Sequence, residues 1–177
     1  KWEVKPIEIN EHLDHLTPLL VVQYLQVVKR IVRKGLKRSY YKVERNLYAK
    51  VKGKVMISDT IKHNLIKNKP LNTYCAFDEF GVNGIENRVI KKALVFVQRY
   101  LNTHKMGKEA NWTNLFNYVN AAFINVSDDV SLHEVKHEVK HVCANAFYKD
   151  YEIGIELARR ILKKFGYNIT NTEKVTT

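Results

Sequence analysis

Residues 38–58 read RSYYKVERNLYAKVKGKVMIS, and the fold turns on how this stretch is assigned. β-branched and aromatic residues alternate with charge, at Tyr41 and Val43 and again at Val51, Val55 and Ile57. A period of two sets one side of an extended chain against a core and leaves the other in water, so the stretch predicts two strands. Asn46 marks a turn between them, and Gly53 a bulge. A third strand is expected over Leu71 to Phe77, after a short helix capped by Ser58 and Asp59 and ended by Asn68 to Pro70.

Outward from this stretch the period becomes helical. Thr17 and Pro18 suit an N-cap and first helical position, and Gly35 suits a stop, which frames a helix over Pro18 to Lys34. Its apolar residues go most of the way round, so it should be buried on several sides. Asn83 with Glu86 forms a capping box before the stripe Ile85, Val89, Ala93, Val97 and Tyr100. Further helices are expected over Trp112 to Phe123, Leu132 to Ala146 and Tyr151 to Phe165, the last stopped by Gly166. The expected class is α+β and mainly helical, with a small antiparallel β element of about three strands at 38–77. One helical domain would occupy 1–170, followed by a polar tail at 171–177.

Charge is concentrated on the same stretch. Between Lys29 and Lys69 there are 14 Lys and Arg against Glu44 and Asp59, which is the whole net charge of +12. The remaining residues balance, so the excess is local and marks a contact surface for an anionic partner. Tyr40, Tyr41 and Tyr48 stand among the cations, an interleaving that suits stacking with phosphate contact. Lysines facing water along an edge strand also guard against aggregation, which is the plainer reading.

Apolar runs such as Leu19–Val22 are short, so no segment is expected to span a bilayer, and the chain reads as a soluble cytoplasmic protein. Cys75 and Cys143 make no disulfide framework and are expected as buried thiols.

The sharpest chemical pattern is HEVKHEVKH at 133–141, two overlapping HExxH matches. In a zincin, the i, i+4 spacing sets two imidazoles on one helical face for zinc and leaves the glutamate to polarise water. Here the apolar stripe Leu132, Val135, Val139 and Val142 lies nearly opposite His133, His137 and His141 at ~100° per residue. The histidines should therefore face solvent, and a zinc hydrolase is the weakest functional reading. Glu134-Val135-Lys136, downstream of Asp128 and Asp129, imitates a nuclease triplet, but on a helical period and not at strand ends. Gly53-Lys54 lacks the surrounding GxxxxGK[ST] of a phosphate-cradling loop. No motif nominates catalytic residues, a metal site or a cofactor in this chain.

Residues 33–101 resemble the McrC family, the nuclease subunit of GTP-dependent systems that restrict DNA containing modified cytosine. The resemblance runs through Arg33-Lys34-Gly35-Leu36, Tyr40 or Tyr41, Glu44 and Leu47, then Lys52-Gly53-Lys54-Val55, Ile61 and Asn64. It continues through Tyr74 to Phe80 and Glu86 to Leu94, and 123–130 with 151–162 also look like the family's helical continuation. The resemblance implies an N-terminal stalk that inserts in the pore of an McrB-like hexameric AAA+ GTPase and stimulates it. The partner would bind GTP. A C-terminal PD-(D/E)xK nuclease would bind a divalent metal, and its catalytic residues have no counterpart here. On that basis Arg45, Lys50, Lys52, Gly53 and Lys54 are the expected partner-binding residues, while Asn87 and Glu79 are expected to be structural. Lys37, Arg38, Tyr41 and Lys42 are candidate phosphate or nucleic-acid contacts. A basic DNA-binding module stays open as the alternative reading of the same cations.

Overall fold

The computed structural model describes residues 16–104, 110–131 and 148–170, with side chains described as far as 164. The expected helix over Leu132 to Ala146, the HExxH histidines, Cys143 and the tail at 171–177 lie outside the described residues.

Three long helices build the body: α1 (Leu16–Lys34), α3 (Ile85–Thr103) and α5 (Lys149–Thr170), with the shorter α4 (Ala110–Ala122) against them. Each presents a stripe at helical spacing. In α1 it is Val21, Tyr24, Leu25, Val28 and Ile31; in α3, Val89, Ile90, Ala93, Leu94 and Val97; in α5, Tyr151, Ile155, Ala158, Ile161 and Leu162. These side chains merge with Phe116, Val119 and Phe123 into one core. Burial of each large aliphatic or aromatic side chain there contributes about 1.5–3 kcal/mol. Tyr24 is fully buried, so its hydroxyl needs a partner, and it donates to the Ile90 carbonyl at 2.7 Å. Burial holds that phenol well above the usual tyrosine range.

The β element is a three-stranded antiparallel sheet of order β1-β3-β2, so the mainly helical α+β class holds. β1 (Ser39–Tyr48) pairs along its full length with the central β3 (Asn72–Gly81), from Ser39 opposite Gly81 to Tyr48 opposite Asn72. β2 is only Lys54–Val55, opposite Ala76 and Cys75. The expected turn at Asn46 is therefore corrected: β1 runs straight through it. Asn46 and the buried Asn64 exchange amide hydrogen bonds of 2.7 and 2.9 Å, and Asn64 also donates to the Asn72 carbonyl. A residue read as a turn former is thus a strand residue, satisfied from another segment.

The chain reverses instead at Ala49 to Gly53, where Ala49 and Gly53 have φ of 49° and 67°. Gly53 is not a bulge; a Cβ on it would lie 2.5 Å from the Ala76 carbonyl oxygen and 2.7 Å from Phe77 Cβ. Only glycine meets both the left-handed backbone and that approach. The segment after β2 forms α2 (Ile57–Thr60), which widens into a π-helical turn over Ile61–Leu65. Its N-cap is Met56, not Ser58 or Asp59, and no side chain caps it.

Three other helix signals are also redirected. Thr17 is helical, buried and accepts a hydrogen bond from the Lys164 ammonium, so it does not cap α1. Gly84 is the N-cap of α3 with no side-chain cap; Asn83 Oδ1 accepts from the Ser127 amide instead, and Glu86 pairs with Lys37. Gly166 does not stop α5, which continues to Thr170.

Candidate nucleic-acid and partner interface

No strand side chain joins the helical core, although Cys75 and Phe77 are buried within the β element itself. The sheet is held at its base. Asn87, buried in α3, donates to the carbonyls of Lys37 and Val82, the residues just before β1 and just after β3, at 2.8 and 2.7 Å. Its Oδ1 accepts from the Tyr151 hydroxyl at 2.8 Å, and that hydroxyl accepts from the Lys37 amide at 2.6 Å. The structural role expected of Asn87 is thereby accounted for: one side chain ties both ends of the β element to two helices.

The cations divide by whether an acid neutralises them. Arg30 and Lys34 both reach Asp150 of α5, at 3.0 and 2.6 Å. The hydrogen bond from Lys34 is the main reason the Asp150 carboxyl is held below the usual range; partial burial opposes it and Arg30 adds to it. Lys37 is paired with Glu86. Among the described residues, Arg38, Lys42, Arg45, Lys50, Lys54, Lys62, Lys67 and Lys69 have no ion-pair partner, and all are exposed. Most of the uncompensated charge of the basic stretch thus sits on the β element and its helical turn, with Lys29 and Arg33 of α1 also outside any ion pair among the described residues. The acids of the β element and its turn are Glu44, Asp59 and, on β3, Asp78 and Glu79.

The residues expected at the partner contact do not behave alike. Arg45 is exposed on β1, Lys50 lies in the turn and Lys54 opens β2. Lys52 is engaged: its ammonium stands 4.1 Å from the centre of the Phe77 ring and 3.7 Å from Glu79. Gly53 supplies the turn geometry. Glu79, expected to be structural, makes this loose ion pair and no hydrogen bond among the described residues.

Among the candidate phosphate contacts, Lys37 is committed to Glu86 and the α3 base, whereas Tyr41 and Lys42 line a cleft of about 670 Å³ with Arg45 and Arg88. Arg38 is exposed before β1 and does not line it. The cleft lies between the sheet face carrying Tyr41 and Val43 and the start of α3. Arg88 was not nominated as a contact by the sequence reading because it lies outside the basic stretch, on a helix read for its cap, its apolar stripe and the family resemblance. Its Nη1 donates to the Asp129 carbonyl at 3.1 Å, while its Nε is buried with no partner. Among the described residues no helix is long and apolar enough to cross a membrane.

A helical body carrying a basic, base-anchored three-stranded sheet is the class this chain defines. The McrBC family model, described as "McrBC 5-methylcytosine restriction system component", matches residues 2–176, and the chain belongs to this family, as the McrC resemblance implies. It is a restriction-system component. The chain is similar to one in a cryo-EM structure of the Thermococcus gammatolerans McrBC complex, with 15% identity and a TM-score of 0.49. That match covers 86% of this chain and 43% of that one, so the chain spans less than half its length. No curated protein matches the chain.

Proposed function

We propose that this chain is the non-catalytic stalk of an McrC-like subunit, which binds and stimulates an McrB-like hexameric AAA+ GTPase and links it to DNA cleavage. The observation that carries this is the position of Arg45, Lys50 and Lys54: cations without acid partners among the described residues, on a sheet whose two ends are tied to α3 by Asn87. A cation brought to a nucleotide in a partner's site stabilises charge that develops in phosphoryl transfer. Gly53 holds the turn that presents them, and Lys52 packs on Phe77 to stiffen it. In this reading GTP belongs to the ring, and the divalent metal belongs to a nuclease portion with no counterpart in these residues. DNA is reached through the full complex.

The test is charge reversal of Lys50, Lys52 and Lys54 to glutamate, read as GTP hydrolysis by the ring with and without the chain. Stimulation should be abolished. Unchanged stimulation sinks the reading.

Direct contact with DNA is the second reading: Lys42, Arg45 and Arg88 line one cleft, in which they outnumber the carboxylates Glu79 and Glu86, the latter paired with Lys37. Duplex affinity that falls steeply with salt supports it, because each phosphate contact releases counterions. No binding at low salt excludes it.

A further inference from the structure

The far end of the β element carries an aliphatic surface that the cationic contact does not explain. Thr60 and Asn64 turn toward the sheet: the Thr60 hydroxyl accepts from the Tyr74 amide at 3.0 Å, and Asn64 is fully buried. One residue on from these, Ile61 and Leu65 continue a four-residue spacing from Ile57 along the flank of the helical turn. All three remain exposed, at 69%, 43% and 51% for Ile57, Ile61 and Leu65, with Ile66 at 73% and Leu71 at 57%. Leu71 is drawn back beside the β1 end by the bond of its carbonyl to the Ala49 amide, at 2.8 Å.

Five aliphatic side chains this open within 15 residues are not the scattered exposure ordinary for a surface. The pattern points to an interface. We propose that Ile57, Ile61, Leu65, Ile66 and Leu71 form a docking face that seats on an apolar surface of the GTPase ring rimmed with carboxylates. This rests on the stalk reading above and names the part of the chain that supplies the affinity.

Charge decides the occupant. The surrounding segment carries Lys50, Lys54, Lys62, Lys67 and Lys69 against Asp59 alone, so the complement must be acidic. A second copy of this chain would set these lysines against their own kind. A duplex would meet the lysines but offer its phosphate rim nothing to match the aliphatic side chains. An anionic bilayer takes an amphipathic helix that lies flat and free, whereas this turn spans nine residues and is pinned to the sheet through Thr60 and Asn64. A protein surface satisfies both the apolar and the cationic requirement.

Lysines at the rim govern the encounter rate, while the buried aliphatic centre governs dissociation. The experiment measures affinity of the full chain for the purified GTPase ring, comparing the native chain with Ile61→Asp/Leu65→Asp and with the milder Ile57→Ser/Ile66→Ser. Both substituted pairs are exposed, and equal thermal unfolding temperatures verify that each variant is folded. The expected loss is about 30-fold or more for the aspartate pair. It should appear mainly in the dissociation rate, and Lys67→Glu/Lys69→Glu should instead slow association. Native affinity in both aliphatic variants overturns the docking face but leaves the stalk reading intact if the native chain still binds and stimulates. A native chain that does not bind the ring overturns both. Binding to phosphatidylserine vesicles or to duplex DNA that the aspartate pair abolishes, with ring affinity unchanged, also overturns it by assigning the face to a lipid or nucleic-acid partner.

Discussion

Asn87 donates a 2.8 Å hydrogen bond to the carbonyl of Lys37, and through it the helical core grips the chain where the basic β element begins. The same amide grips the other end at Val82, and Tyr151 completes the cluster from α5. An asparagine suits this position because it offers two donors to two carbonyls and an acceptor to a hydroxyl. The orientation of the cationic surface relative to the body therefore depends on one buried side chain.

Asn87→Ala should lower the unfolding free energy by about 2–4 kcal/mol, since it leaves buried carbonyls and the Tyr151 hydroxyl without a partner. Urea denaturation at neutral pH measures it. Asn87→Asp should be at least as damaging, because it turns a carboxylate oxygen toward two carbonyl oxygens. A loss below about 0.5 kcal/mol, the range of an ordinary surface change, would contradict the anchoring role.

Tyr151→Phe removes the acceptor of the Lys37 amide and the donor to Asn87, at an expected cost of about 1–3 kcal/mol. Because both residues belong to one network, the double variant with Asn87→Ala should lose less than the two single losses added together. A double-mutant cycle reads the coupling, and additive losses would show that the two hydrogen bonds act independently.

Much of the body was legible because its signal is local and repetitive. The stripes of α1, α3 and α5 follow from spacing alone, and the stop at Gly35 follows from its positive φ of 91°. The sheet was legible as strands but not as a pairing. Asn46 carries the composition of a turn, and what makes it a strand residue is Asn64, 18 positions away. Likewise, Asn83 and Glu86 have the spacing of a capping box, but Ser127 and Lys37 compete successfully for them. Side chains that bond across long sequence separation defeat local rules. The basic surface was visible as composition, but only the fold separates Arg30, Lys34 and Lys37, which Asp150 and Glu86 neutralise, from Arg45, Lys50 and Lys54. Arg88 entered the candidate site from outside the charged stretch, so no count of local charge could find it.

Gly35 and Gly53, the positive-φ glycines among the described residues, should respond differently to alanine. At Gly35 a Cβ meets nothing within 4 Å, so Gly35→Ala bears only the left-handed backbone cost of about 1–2 kcal/mol. At Gly53 the same cost is joined by a collision with the Ala76 carbonyl and Phe77, which cannot move without disturbing β3. Gly53→Ala should therefore cost clearly more and should weaken GTPase stimulation with it. Parallel chemical denaturation of the two variants is the check, and equal losses would refute the packing explanation.

Asp150 predicts a specific acid limb. The Lys34 ammonium at 2.6 Å and the Arg30 guanidinium at 3.0 Å hold its carboxyl below the ordinary range in the folded chain. A depressed folded value means the stabilisation is complete above the unfolded aspartate value of about 3.9 and is lost as pH falls through the lower folded value. Arg30 and Lys34 are about half exposed, so solvent screening limits the contribution to about 1 kcal/mol or less. Asp150→Asn should therefore be slightly less stable than the native chain at pH 7, and the difference should close on acidification below about pH 4. Added salt should narrow it at neutral pH. Urea unfolding of both proteins between pH 3 and pH 7 tests this, and a difference that stayed constant across that window would show that Asp150 acts through packing and not through its charge.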